Sequence, residues 1–357
     1  MQHVTKTPTV GRAVDWGFAA TVGAKLTRAE PPITDYTRAQ AHQQLADAAR
    51  RAELPVREVT LLNEGAEVTE ARIVDRPQWV RAATESMRVM TGGRPDGPEG
   101  RTALVAGRLT GAQTGAVLAF VSSGILGQYD PFAAADSGER TGELLLVYPN
   151  IIATERQLRV DAADFRLWVC LHEVTHRVQF RANPWLADHM SQALAVLTDD
   201  AGLDATDITA RLAQFIRNQR RGGTDPNSQG ILGIMRILQN DQQQRALDQL
   251  LVLGTLLEGH ADHVMDAVGP AVVPSVATIR NRFDARRHRK QSPLQRIIRA
   301  LLGVDAKVAQ YARGKKFVDH VVGTVGMSRF NTIWTDADTL PLPAEIDEPQ
   351  RWIDRVL

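Results

Sequence analysis

The chain has 357 residues, 43% of them hydrophobic, and its 42 basic and 41 acidic side chains leave a net charge of +1. Apolar content on that scale builds the core of one large or two ordinary domains, which excludes an intrinsically disordered chain. A single cysteine, Cys170, excludes an intramolecular disulfide framework, and residues 1–25 lack the basic start and continuous apolar core of a secretory signal, so the expected compartment is cytoplasmic.

In chain order, Tyr36 to Ala52 alternates apolar and charged residues at helical spacing, and Pro31-Pro32 and Pro55 bracket the helix it predicts. Asp75 before Pro77 marks a second start, with a helix running to Met90, and the Gly-Pro-rich stretch 92–98 reads as a loop. Residues 1–98 are expected to form a helical cover on a catalytic region, 99–357, with which they can make one continuous domain. Thr102 to Leu126 is rich in Ala, Val, Leu and Gly, but Arg108, Gln113 and Ser122-Ser123-Gly124 interrupt it before a full span of about 20 apolar residues. It reads as a buried soluble helix and not as a membrane segment, with Gly107, Gly111 and Gly115 forming a smooth stripe for close backbone approach. Leu144 to Val147 predicts a short strand, serving either as an edge that pairs with an extended peptide or as a plain core strand.

The segment from Phe165 to Phe180 is sixteen residues without Gly or Pro, capped by Asp161 or Asp164 and ended by Asn183-Pro184. It contains His172-Glu173-Val174-Thr175-His176, the H-E-x-x-H pattern of zinc hydrolases. On a helix the two imidazoles share a face and can reach one ion, while Glu173 projects about 100° around the axis. Cys170 lies roughly 200° from His172 and belongs to the core. The ordinary alternative is two histidines on an amphipathic helix, each then needing its own polar partner.

A zinc site needs a third protein donor and an open position. After helices expected at Trp185–Leu197, Ala205–Ile216, Gln229–Leu238 and Asp241–Leu253, the run Leu250–Leu257 leads into Glu258, with Asp262 one turn further on the same face. This E-x-x-x-D arrangement is that of Glu-type zincins. It makes Glu258 the expected third ligand, and Asp262 the acceptor for the far nitrogen of His172 or His176. His260 and His263 offer a competing all-histidine set, with Asp266 as its outer carboxylate. Gln179 and Ala182 stand where a metzincin has Gly and His, which excludes that class. Glu258 lies 82 residues beyond His176, far more than in the better-known Glu zincins.

Together the 165–180 helix, the segment Glu258 to Asp266, the ending Trp334 to Trp352, Leu126-Gly127-Gln128-Tyr129-Asp130-Pro131 and Val147-Tyr148-Pro149-Asn150 resemble a family of zincin-like metallopeptidases. That family is associated by name with deazaflavin coenzyme biosynthesis. The resemblance covers most of the chain beyond about residue 75. It implies a mainly α fold with a small β-sheet (α+β), a zincin-like active-site helix, a zinc cofactor and no established substrate.

The chemistry that follows is a zinc-dependent hydrolysis of a peptide or amide, with ligands His172, His176 and Glu258 and with Glu173 as general base. Tyr148, Tyr311 and His320 are candidate donors to the oxyanion. The alternative is a non-catalytic zincin-derived protein that binds a partner or an anionic metabolite. Between Arg280 and Lys316 twelve basic residues, Arg286, Arg287 and Arg289 among them, face only Asp284 and Asp305 in sequence. Such a block reads first as a solvated face and second as an anion site, partly on an amphipathic helix through Ile297–Val304. Few aromatics interleave it, which argues against nucleic acid.

Overall fold

The computed structural model describes residues 10–62, 65–134, 140–197, 241–287 and 304–357, with the backbone alone at 10, 284, 286, 287 and 304–312. The expected helices at 205–216 and 229–238, the amphipathic stretch 297–303 and the side chains of Arg286, Arg287, Arg289 and Tyr311 lie outside the described residues.

Helix starts follow side chains that can accept a backbone proton. Asp15 caps α1 (Trp16–Leu26), Thr34 caps α2 (Asp35–Thr60), and Asp75 caps α3 (Arg76–Met90) in a reciprocal box with Gln78. Helix α2 runs straight through Pro55, which was expected to end it. An interior proline costs about 3 kcal/mol. Beyond it, however, Val56 and Thr60 are completely buried, and Glu53, just before it, pairs with a buried arginine, Arg177. Those contacts hold the last turns helical.

The sheet has three strands, β1 (Arg72–Val74), β2 (Gly127–Asp130) and β3 (Glu143–Val147), in the order β1-β3-β2. β3 is therefore central, parallel to β1 and antiparallel to β2. It is the core strand of the two readings, not a peptide-accepting edge. Leu144 and Leu146 join one core cluster and Leu145 and Val147 another, all four at 1% exposure or less, so both faces of the strand are covered and its apolar run needs no alternation.

Between β1 and β3 lie α3 and α4 (Arg101–Ser122), which close one face of the sheet. α4 buries its glycine stripe against α1: a Cβ on Gly111 or Gly115 would collide with the carbonyl of Asp15 or Ala19. Its opposite face is open, with Val105, Leu109, Val117 and Phe120 all exposed. The expectation of a buried helix thus fails, because the small residues and not the large ones supply the packing face.

The other face of the sheet meets α6 (Ala162–Ala182), reached through α5 (Tyr148–Leu158) and capped by Asp161. α7 (Trp185–Leu197) follows it. α8 (Asp241–Val272) packs on both α6 and α7 and is broken only at Gly269, whose φ of 65° precedes Pro270. α9 (Val276–Arg287) and α10 (Val304–Val325) complete the wall around it, with α11 (Met327–Phe330), α12 (Pro343–Asp347) and α13 (Pro349–Val356) at the C-terminal end. Gly259 of α8 and Gly314 of α10 meet backbone to backbone, and a Cβ on either would strike the partner helix's main chain. The result is mainly helical with a small sheet, as expected.

Candidate metal centre

α6 stands between α2, α8 and the sheet, and fourteen of its residues are buried. Arg177 on it is 1% exposed, paired with Glu53 of α2 and donating to the Thr69 carbonyl at 2.6 Å, which fixes the helix's rotation. Cys170 is wholly buried, and burial raises its thiol's pKa; it is core, as expected.

On the face left open, His172 Nε2 and His176 Nε2 lie 3.2 Å apart, and Glu258 of α8 brings Oε2 to 3.4 Å from the first and Oε1 to 3.9 Å from the second. The fold thus converges the two helical imidazoles with a carboxylate 82 residues downstream. Tetrahedral zinc with ligand bonds of about 2.0–2.1 Å needs donors about 3.3 Å apart. This donor set, two imidazoles and a carboxylate, fits that ion. Among the described residues it is the one cluster of three such donors within 4.8 Å of one another.

The charges around the pair are unequal. Burial disfavours a charged His172, but the bond and charge of Glu258, with the charges of Glu173 and Asp262, outweigh it and push this imidazole up to about 9. His176 goes the other way, lowered by burial and by its charged neighbour. Burial pushes Glu173 up to about 7, with His172 opposing and Glu258 reinforcing. Protons and a divalent ion therefore compete for the same nitrogens.

Gln179 holds His176. The amide nitrogen of Gln179 donates to the Leu257 carbonyl at 3.0 Å, which can only accept, so its Oε1 is the atom that faces His176 Nδ1 at 2.9 Å. His176 thus carries its proton on Nδ1 and turns the lone pair of Nε2 toward His172 and Glu258. The same amide nitrogen contacts His260 Nδ1 at 3.0 Å. His260 is fully buried beside Phe330 and Trp334, and burial lowers its pKa to about 3.

Three expectations change accordingly. For His176, Gln179 and not Asp262 takes the far nitrogen; Asp262 lines the cleft, acts on His172 through its charge, and lies 3.8 Å from Arg280. His260 bonds Gln179, His263 bonds Asp319 at 2.7 Å and Asp266 pairs with Arg280 at 2.7 Å, so none of the competing set faces the two histidines. Tyr148 packs against His42, and His320 is exposed; neither lines the cleft. Gln128 does, with its Oε1 accepting from Trp79 Nε1 at 3.0 Å.

Glycine 127 has a role that spacing does not reveal. A Cβ there would come within 2.7 Å of Glu173 Cγ, so only glycine lets β2 pass directly beside the carboxylate. Gln179 did leave a signal: it sits three residues after His176, on the same helical face.

Part of the basic block is paired. Arg280 pairs with Asp266, Lys315 bridges Asp266 at 3.1 Å and Asp319 at 2.5 Å, and Arg313 holds Asp347 at 2.5 Å. Arg282 donates to the Leu158 and Arg159 carbonyls, and Lys316 is exposed.

Comparison with known proteins agrees with this architecture. No curated protein matches the chain. A crystal structure from Chloroflexus aurantiacus, described as a candidate hydrolase with a novel fold, is similar over 96% of this chain and 98% of that one, with a TM-score of 0.63 and 25% identity. The profile of the zincin-like metallopeptidases spans residues 14–353, and the chain belongs to that family.

Proposed function

We propose that the protein is a zinc-dependent peptidase or amide hydrolase, with His172, His176 and Glu258 as the ligands and Glu173 as the general base. The observation that carries the reading is the convergence of Glu258 on the histidine pair beside a cleft that also contains Glu173. Zinc held there supplies Lewis acidity, lowering the pKa of a water and polarising a carbonyl.

The chain's own groups do the rest. Glu173, with a raised proton affinity, accepts the proton of the attacking water and hands it to the leaving nitrogen. Gln128 offers amide N–H groups for the negative charge that develops on the carbonyl oxygen. β2 pairs only with β3 among the described residues, so its outer edge, in the cleft at Gly127 to Tyr129, is free to hydrogen-bond an extended substrate.

The test is Glu173→Gln. The variant should keep about one zinc per chain by metal analysis and lose hydrolysis of a mixed peptide and N-acyl amide library by 10²-fold or more, the effect of losing a general base. Wild-type turnover in that variant removes Glu173 as base, and a zinc-loaded wild-type protein inert on the whole library removes the hydrolase.

A further inference from the structure

The cleft beside the metal centre has a volume of about 620 Å³, well inside the range of roughly 300–1,000 Å³ in which proteins enclose small ligands and peptide side chains. Its composition is one-sided. Every ionisable group that lines it belongs to the centre: His172, Glu173, His176, Glu258 and Asp262, apart from the Tyr129 phenol. Among the described residues no lysine or arginine lines it, and the nearby Arg280 bonds Asp262 and Asp266.

The apolar part has an order imposed by α6. Trp168, His172, His176 and Phe180 recur every four residues, so one slowly winding stripe of the helix reads aromatic, donor, donor, aromatic. Each aromatic lies one turn, about 6 Å along the axis, from the nearer imidazole. Each is doubled from another element: Trp168 by Phe283 of α9 with ring centroids 5.3 Å apart, and Phe180 by Tyr129 of β2 at 6.0 Å. Met87, Met90, Met190 and Met265 also line the cleft, with flexible, polarisable side chains that adapt to varied apolar shapes.

From this arrangement we infer that the cleft takes substrates with bulky, uncharged apolar groups on both sides of the scissile amide and rejects acidic ones. The inference rests on the hydrolase reading above and adds the substrate class. Trp168 and Phe180 stand about 18 Å apart along the axis of α6, so an extended substrate, at about 3.3 Å per residue, spans them with five to six residues, and apolar groups two or three residues out on either side of the reacting carbonyl fall against the two aromatic pairs. A carboxylate at either place, a helical turn or more from the ion, would be desolvated with no lysine or arginine among the described lining residues to meet it.

Two measurements test it. The first uses zinc-loaded wild-type protein and peptides that place Leu, Phe or Met, then Ala, then Asp or Glu, two or three residues out on each side of one scissile bond, with products read by mass. Apolar residues on both sides should be cut best, and an acidic residue on either side should lower kcat/KM by roughly 10- to 100-fold, the scale of a mismatched apolar pocket. Phe283→Ala and Phe180→Ala should each relax the preference on one side only, and on opposite sides; such a ratio does not depend on how much enzyme is folded. Efficient cleavage with no preference, or a preference for acidic residues, overturns the inference while the hydrolase stands. The second measures, by calorimetry, binding of the same peptides to zinc-loaded Glu173→Gln, independent of turnover. The apolar peptides should bind at least about 10-fold tighter than the acidic ones, and equal binding overturns the inference even if no peptide is cut.

Discussion

At the scale of single residues, the histidine pair is held by a group one contact removed from it. Gln179 reads the Leu257 carbonyl on one side and sets the proton of His176 on the other, so the imidazole's acceptor is a neutral amide and not a carboxylate. Gln179→Leu should therefore weaken zinc binding by about 10- to 100-fold in competition with a chelator, with the fold intact by circular dichroism. Unchanged affinity would show that the His176 ring is held by packing alone. A glutamate at 179 is no substitute, because its second oxygen would meet the Leu257 carbonyl. His172 and His176 were legible beforehand because helical spacing puts both rings on one face, Glu173 because it stands between them, and Glu258 because a second carboxylate follows it one turn on. The roles of Gly127 and Gln128 were not, since what they touch is decided by which strand passes Glu173.

Among the elements, α2 shows how tertiary contacts override a local signal. Pro55 sits inside the helix because the face beyond it is needed against α6. Pro55→Ala should raise stability by about 1–2 kcal/mol in a urea denaturation series: the interior cost of proline, about 3 kcal/mol, less what its rigidity saves in the unfolded chain. A lowered midpoint would mean that the proline ring itself contributes packing. The capped helices α3 and α6 could be read from sequence, as their first turns carry Asp75 with Gln78 and Asp161. The strand order could not. Leu144 to Val147 looks the same whether one neighbour or two hydrogen-bond it, and the polar β2, the true edge, carries no apolar alternation to announce it. In α4 the glycine spacing named the face that meets α1, but the large apolar residues, expected to be buried as well, stand on the open side.

For the whole molecule, the first 98 residues do more than cover the rest. β1 supplies one of the two neighbours of β3, and α2 supplies the carboxylate that balances Arg177 in the middle of α6. A chain of residues 99–357 should therefore lack a cooperative thermal transition, since it leaves a buried guanidinium unpaired and a fully apolar strand uncovered on one edge, whereas the full chain melts cooperatively. A sharp melt of the shortened chain would mark an independent domain. The pairing of part of the basic run likewise emerges only from the assembled fold, where acids from α8, α10 and α12 meet it. The meeting of Gly259 with Gly314 has a consequence of its own. Glu258 is the residue before that contact, so α10 backs α8 at bare main chain immediately beside the carboxylate that reaches toward α6. One added methyl at the crossing would have to part the two helices at that point.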